Sequence, residues 1–282
     1  MSPSTTQVEY FPNRQQQLGL RVWAEMFAEL RRHRGLVWQL CVRDVSARYK
    51  QSVLGIAWAL LLPLTMMLLF TLLNRARVLP IGPTPVPYPL FVYVGLLSWQ
   101  LFAKSLTLGT QSIVANISVL SQIKVPGEAF VFASLGQALF EFLMGLVVLS
   151  GLFVWYGVVP GWPVVFVPLL LVVVLLTAAG LGFLLGLANA ALRDVSNMLP
   201  MLTTLWLFAT PVIYPVPTSW PWCLVSILNP LSPLIANIRS LTLEGRWVMG
   251  CELAASVVFS ILTLLVGWRL FHLLEPKIAE RL

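Results

Sequence analysis

The chain has 282 residues, of which 58% are hydrophobic and only 10% charged. A soluble domain carries about a quarter charged residues, so the deficit excludes an ordinary water-soluble fold and points to lipid as the solvent. The net charge of +7 does not mark a nucleic-acid binder, because the positive charge is concentrated beside apolar runs, where membrane orientation explains it.

In lipid every backbone polar group must be satisfied within the chain, which leaves helical spans or a closed barrel. The apolar runs are long and unbroken rather than alternating, so helices are expected. Residues 1–17 are polar, and no short apolar core with a cleavage site follows them, so no secretory signal peptide is expected. Next comes an amphipathic stretch over 20–34. Val22, Trp23, Met26, Phe27 and Leu30 share one side, and Arg21, Glu25, Glu29 and Arg32 the other. This pattern fits either a helix lying in the membrane interface or one packed on a soluble partner.

Apolar runs long enough to span occur at 53–73, 89–114, 129–156, 163–190, 198–214 and 250–274. Between the last two, residues 215–245 are apolar but broken by Pro215, Pro217, Pro221, Pro230 and Pro233. Prolines at that density interrupt helices, so two short helices dipping into the outer leaflet and returning are expected, with a seventh span as the competing reading. Six spans place the basic N-terminal segment, Lys124, Arg193, Arg269, Lys277 and Arg281 on the cytoplasmic side. The outer side receives Arg75, Arg77, Arg239 and Arg246. That asymmetry follows the positive-inside rule, and a seventh span would break it. Trp99, Trp155, Trp162, Trp220, Trp222 and Trp247 fall near predicted outer ends, as in an aromatic belt. The organisation read from this is a cytoplasmic segment 1–50, a six-span domain 51–275 and a cytoplasmic tail 276–282.

Several chemistries are missing from the sequence. There is no G-x-x-x-x-G-K-[ST] phosphate loop. Cys41, Cys223 and Cys251 are scattered, His33 and His272 form no ligand pair, and no metal site is expected. No carboxylate pair suited to glycosyl chemistry is evident, so no catalytic residue is assigned. Lys104 and Glu141 lie inside predicted consecutive spans, almost equidistant from the turn near 122–123. Ionisable groups at membrane depth are expensive and usually paired, so these two are expected to face each other. Trp58, Trp99, Phe102, Trp206, Phe208 and Tyr214 are candidates for lining a sugar path, or alternatively ordinary helix-packing aromatics.

The most informative run is R-D-V-S-A-R-Y-K-Q-S-V-L-G-I-A-W-A-L-L-L-P over 43–63. Arg43, Arg48, Tyr49 and Lys50 stand just before a span, and Leu54–Gly55 at its edge. Such a collar can hold an anionic head group or simply anchor the span. The run resembles the signature of ABC transporter permeases that export O-antigen, capsular polysaccharide and teichoic acid. The similarity continues in Y-P-L-F-V-Y-V-G-L-L-S-W at 88–99, N-I-S-V-L-S-Q-I-K-V-P at 116–126, R-D-V at 193–195, T-P-V-I-Y-P at 210–215 and N-P-L at 229–231. Gly127–Glu128 stands where a basic residue is more usual.

The resemblance implies an all-α membrane protein of the bacterial inner membrane, with six spans, an N-terminal interface helix, re-entrant outer helices and both termini cytoplasmic. It implies a homodimer working with two copies of a separate ATP-binding subunit, which holds the ATP and magnesium. It also implies a glycan substrate carried on undecaprenyl pyrophosphate. Under it, Arg43, Arg48, Tyr49, Lys50, Leu54 and Gly55 belong to a pyrophosphate gate. Asn116, Leu120, Lys124, Pro126, Arg193 and Asp194 contact the ATPase. The alternatives are a membrane enzyme acting on a polyprenyl-linked sugar and a permease for small molecules.

Overall fold

The computed structural model describes residues 20–50, 53–79, 81–117 and 126–279. Among them the chain is all-helical. The helices are α1 (Leu20–Arg32), α2 (Arg34–Lys50), α3 (Ala57–Arg75), α4 (Tyr88–Ala115), α5 (Glu128–Tyr156), α6 (Val167–Ala191), α7 (Asp194–Ala209), α8 (Trp222–Leu228), α9 (Leu231–Leu243) and α10 (Gly250–Ala279). A 3₁₀ turn, Trp162–Phe166, leads into α6. Five elements are long and apolar enough to cross a membrane: α3, α4, α5, Trp162–Ala191 and Gly250–Glu275. The expected run at 198–214 becomes α7, which starts earlier and stops at Ala209, 16 residues in all. It stops because the residue before a proline is pushed out of the helical region. Thr210, ahead of Pro211, is extended (φ −108°, ψ 138°).

Helix α4 is central, with 78% of its apolar window buried against 22% for α3 and for α10. The exposed side of α3 is a run of Leu61, Leu62, Met66, Leu68, Leu69 and Leu72, a composition suited to lipid. Helices α6 and α10 pack through small residues. Thr177 and Ser260 share a 2.7 Å hydroxyl hydrogen bond, and Gly180 lies against the backbone of Thr263 and Leu264. Close backbone approach of this kind replaces the hydrophobic driving force that lipid cannot supply.

The two ends of the bundle differ. At the basal end, α1 meets the last turns of α10. Val22 and Met26 are buried with Ile113, Val131, Phe183, Trp268 and Phe271, and the rings of Trp23 and Phe27 stand edge-on to Trp268. The buried part of the α1 stripe therefore packs on the chain's own bundle, a partner that periodicity alone does not identify. At the distal end, α8 and α9 fill the proline-rich stretch, and every residue of α9 is buried.

Candidate functional site

At the basal end α2 runs along α5. Leu40 packs on Ala129, Phe130 and Ala133. One step further the Cys41 sulfur approaches Gly136 so closely that a Cβ there would lie 2.6 Å from it. Burial, then Asp44, pushes the Cys41 thiol up, so it sits there as a small protonated packing group. The contact carries the last turn of α2 to residues 140–141. Tyr49 lies beside Phe140 with ring centroids 6.2 Å apart. Arg48 Nη1 stands 3.4 Å from Glu141 Oε1, and Lys104 Nζ of α4 donates to Glu141 Oε2. The Glu141 side chain is 4% exposed, those of Arg48 and Lys104 42% and 24%. Burial, and then the neighbouring Glu141 carboxylate, push the Tyr49 phenol up to about 12, with Arg48 opposing. Tyr49 is therefore a neutral neighbour of this three-charge cluster.

Arg43, one and a half turns earlier, does different work. Its Nε donates to Asp44 Oδ1 at 2.8 Å and its Nη2 to Asn116 Oδ1 at 2.6 Å. Asn116 is the C-cap of α4, and its Nδ2 donates to the Ser112 carbonyl. On the far side of the connection, Gly127 N donates to Glu275 Oε1 at 2.5 Å, and Glu128 Oε1 lies 2.7 Å from His272 Nδ1. Both flanks of 117–126 are thus bonded to other elements, one to the collar helix α2 and the other to the end of α10.

At the distal end the broken segment after α7 has its carbonyls satisfied by four side chains. Tyr214 Oη donates to Phe208 O, Asn229 Nδ2 to Ala209 O and Tyr88 Oη to Ile213 O. Arg239 Nη1 reaches Pro211 O, Val212 O and Tyr214 O at 2.8, 3.3 and 3.4 Å. The Arg239 guanidinium carbon also lies 3.9 Å from the centroid of the Phe91 ring. Buried non-helical backbone needs such partners. Tyr214 and Phe208, with Leu79, Ile81 and residues 215–219, line an open distal cavity of about 680 Å³.

Residues 35–243 match the ABC-2 type transporter family. The chain belongs to that family. It is 30% identical to the O-antigen export system permease protein RfbA of Myxococcus xanthus, over 89% of this chain and 97% of that one. It is 25% identical to an O-antigen export system permease protein RfbA of Klebsiella pneumoniae, over 84% of this chain and 91% of that one.

In this ABC-2 permease the remaining predicted residues divide into several groups. Lys50 is exposed, Leu54 is 48% exposed, and Gly55 holds a left-handed backbone (φ 49°) that makes the turn into α3. Leu120 and Lys124 lie outside the described residues. Pro126 is half-buried, and its carbonyl accepts from Ala129 N. Arg193 and Asp194 open α7, are exposed, and make no ion pair with each other.

The aromatic candidates need correcting. Trp99 and Phe102 are buried, and with Trp206 they form a packed cluster with centroids 5.1–6.3 Å apart. The Trp206 indole donates to Asn229 Oδ1. Trp99 sits mid-way along the central helix, packed inside the chain's own bundle. Trp58 and Phe208, by contrast, are 45% and 50% exposed. Sequence reasoning named Arg239 and Asn229 without giving either its bonding role, and missed the Glu128–His272–Glu275 group. A basic residue inside an apolar, proline-rich stretch was the available signal for Arg239. No group of three His, Cys, Asp or Glu side chains converges as a metal site among the described residues.

Proposed function

We propose that this permease exports a polysaccharide carried on undecaprenyl pyrophosphate across the bacterial inner membrane, as a homodimer with two copies of a separate ATP-binding subunit. The observation that carries this reading is the basic end of α2. In a chain of this family, with relatives named O-antigen export permeases, Arg48 sits half-exposed at the foot of the first span beside Lys104. A diphosphate head group fits such a place, because Arg binds phosphate oxygens bidentately.

In this reading α7 and residues 210–214 together make the fifth of six crossings, ahead of α10. Helices α8 and α9 then sit in the outer leaflet, and both termini face the cytoplasm with most of the basic residues. The ATP-binding subunits, which hold ATP and magnesium, press on residues 116–126. The Arg43–Asn116 bond passes that movement to the collar, and Arg193 and Asp194 form a smaller contact beside it. The exposed apolar sides of α3 and α7 meet lipid or the second protomer. The permease itself carries out no covalent chemistry.

The test is co-purification with the ATP-binding subunit encoded beside it, followed by ATPase assays in lipid. A complex with equal numbers of the two subunits, stimulated by the polyprenyl-linked glycan, is the expected result. A chain that purifies alone and alters the glycan covalently would overturn the proposal in favour of a membrane enzyme.

A further inference from the structure

The three-charge cluster carries more than a structural pair requires. Lys104 and Glu141 alone would be neutral and mutually satisfied. Arg48 adds a surplus positive charge beside a carboxylate that is 4% exposed, and a surplus cation at the head-group level attracts an anion.

The depth follows from helix lengths. Helix α3 has 19 residues, about 28 Å, close to the ~30 Å of a hydrocarbon core. Lys104 and Glu141 lie about 24 and 22 Å below the distal ends of α4 and α5, level with the first turns of α3. That is the level at which phosphate head groups of the inner leaflet begin.

The bonding within the cluster is uneven. Glu141 Oε2 is held by Lys104. Glu141 Oε1 has no hydrogen-bond partner of good geometry among the described residues; it has the 3.4 Å ion contact with Arg48, and the Tyr49 hydroxyl also faces the Glu141 carboxylate. The arm to Arg48 is therefore the looser one, and the guanidinium has five donors and is 42% exposed on its side chain. Asp44, the nearest acidic residue on α2, is taken by Arg43.

We propose that Glu141 is the resident counter-ion of the Arg48 and Lys104 cations, released from Arg48 when a ligand phosphate arrives. The exchange swaps one carboxylate oxygen for a more highly charged bidentate acceptor, while Lys104 stays anchored between the two anions. Glu141 thus keeps the cations paired when the site is empty, and it sets the affinity by competing with the ligand. This rests on the export reading above and adds Glu141 to it as the competing anion.

The test is binding of polyprenyl diphosphate to the full chain in phosphatidylcholine nanodiscs, with inorganic pyrophosphate as competitor and thermal unfolding as the check on folding. Removing the competing anion in Glu141→Gln tightens binding about tenfold, and Lys104→Gln weakens it about tenfold, as expected for single charge terms at a partly buried site. The double variant Lys104→Gln/Glu141→Gln returns to within about threefold of wild type, because one cation and its competitor leave together. Should Glu141→Gln fail to fold, recovery of the double variant over Lys104→Gln decides the matter.

Competition by inorganic pyrophosphate with the same order of variants keeps the subsite and assigns it to soluble phosphates; no competition assigns it to a lipid head group. Wild-type binding with Glu141→Gln unchanged or weaker, at an unaltered unfolding temperature, overturns the counter-ion proposal alone. A wild-type chain that binds neither probe overturns it together with the head-group part of the export reading.

Discussion

Arg43 Nη2 lies 2.6 Å from Asn116 Oδ1, so a single hydrogen bond joins the basic helix before the first span to the cap of α4. A hydrogen bond to a charged group contributes about 1.5–3 kcal/mol, enough to couple the motion of two elements. Under the proposed function, Asn116→Ala or Arg43→Ala is expected to lower glycan export about tenfold or more in a reconstituted complex, while ATP hydrolysis continues. Equal loss of export and hydrolysis would instead place these residues in the ATPase contact itself.

Arg239 is 5% exposed and serves three carbonyls that no helix satisfies. Each buried carbonyl left without a donor costs about 1–3 kcal/mol, so Arg239→Leu is expected to destabilise the protein by roughly 3 kcal/mol or more. Arg239→Lys should recover little, since a point-like ammonium cannot fork across the carbonyls and lie flat on Phe91. Arg246, an exposed partner of Glu244, is the control: Arg246→Ala should cost under about 1 kcal/mol. Thermal unfolding of the three variants in one detergent distinguishes them, and equal effects would remove the special role of Arg239.

Much of this architecture is legible in hydropathy, because a span must be long and apolar whatever it packs against. The five spans appear where unbroken runs occur, and antiparallel neighbours put Lys104 and Glu141 at one level, where the structure joins them. What hydropathy cannot carry is the lateral placement of a charged helix. Arg48 reaches Glu141 only because Cys41 seats against Gly136, a contact between two small residues far apart in sequence. The Glu128–His272 pair, 144 residues apart, leaves no local signal for the same reason. The fifth apolar run continues in composition to 214, whereas Pro211 turns the backbone out of the helix at Thr210. Trp99 and Phe102 show the converse: an aromatic in a span looks the same in sequence whether it faces a path or the core.

The Cys41–Gly136 seat makes a prediction of its own. A Cβ at 136 would lie 2.6 Å from the sulfur, so Gly136→Val must push α2 away from α5, at a cost of about 1–3 kcal/mol for overpacking. In a Cys223→Ser/Cys251→Ser background, Cys41 should then react faster with a maleimide than in the Gly136 parent. Unchanged labelling and unchanged unfolding temperature would show that α2 is not held at this point.

The contact between α6 and α10 provides a test in which two glycine substitutions should have opposite signs. In general, Gly to Ala in a helix interior stabilises by about 0.5–1 kcal/mol, because the unfolded chain loses freedom. Gly151 of α5 has nothing within 4 Å of the position a Cβ would take, so Gly151→Ala should show that gain in full. At Gly267 the same methyl would lie 2.3 Å from the Gly180 carbonyl oxygen and 3.1 Å from its carbon. Those are backbone atoms of a packed helix, not the tip of a flexible side chain, so the two helices must separate. Separation lengthens the Thr177–Ser260 hydrogen bond and forfeits the close packing that holds helices together in lipid. Gly267→Ala should therefore lose about 1–3 kcal/mol, against the propensity gain. Opposite shifts of unfolding temperature for the two variants are expected, and a stabilising Gly267→Ala would mean that α6 and α10 are not closely packed in the native membrane.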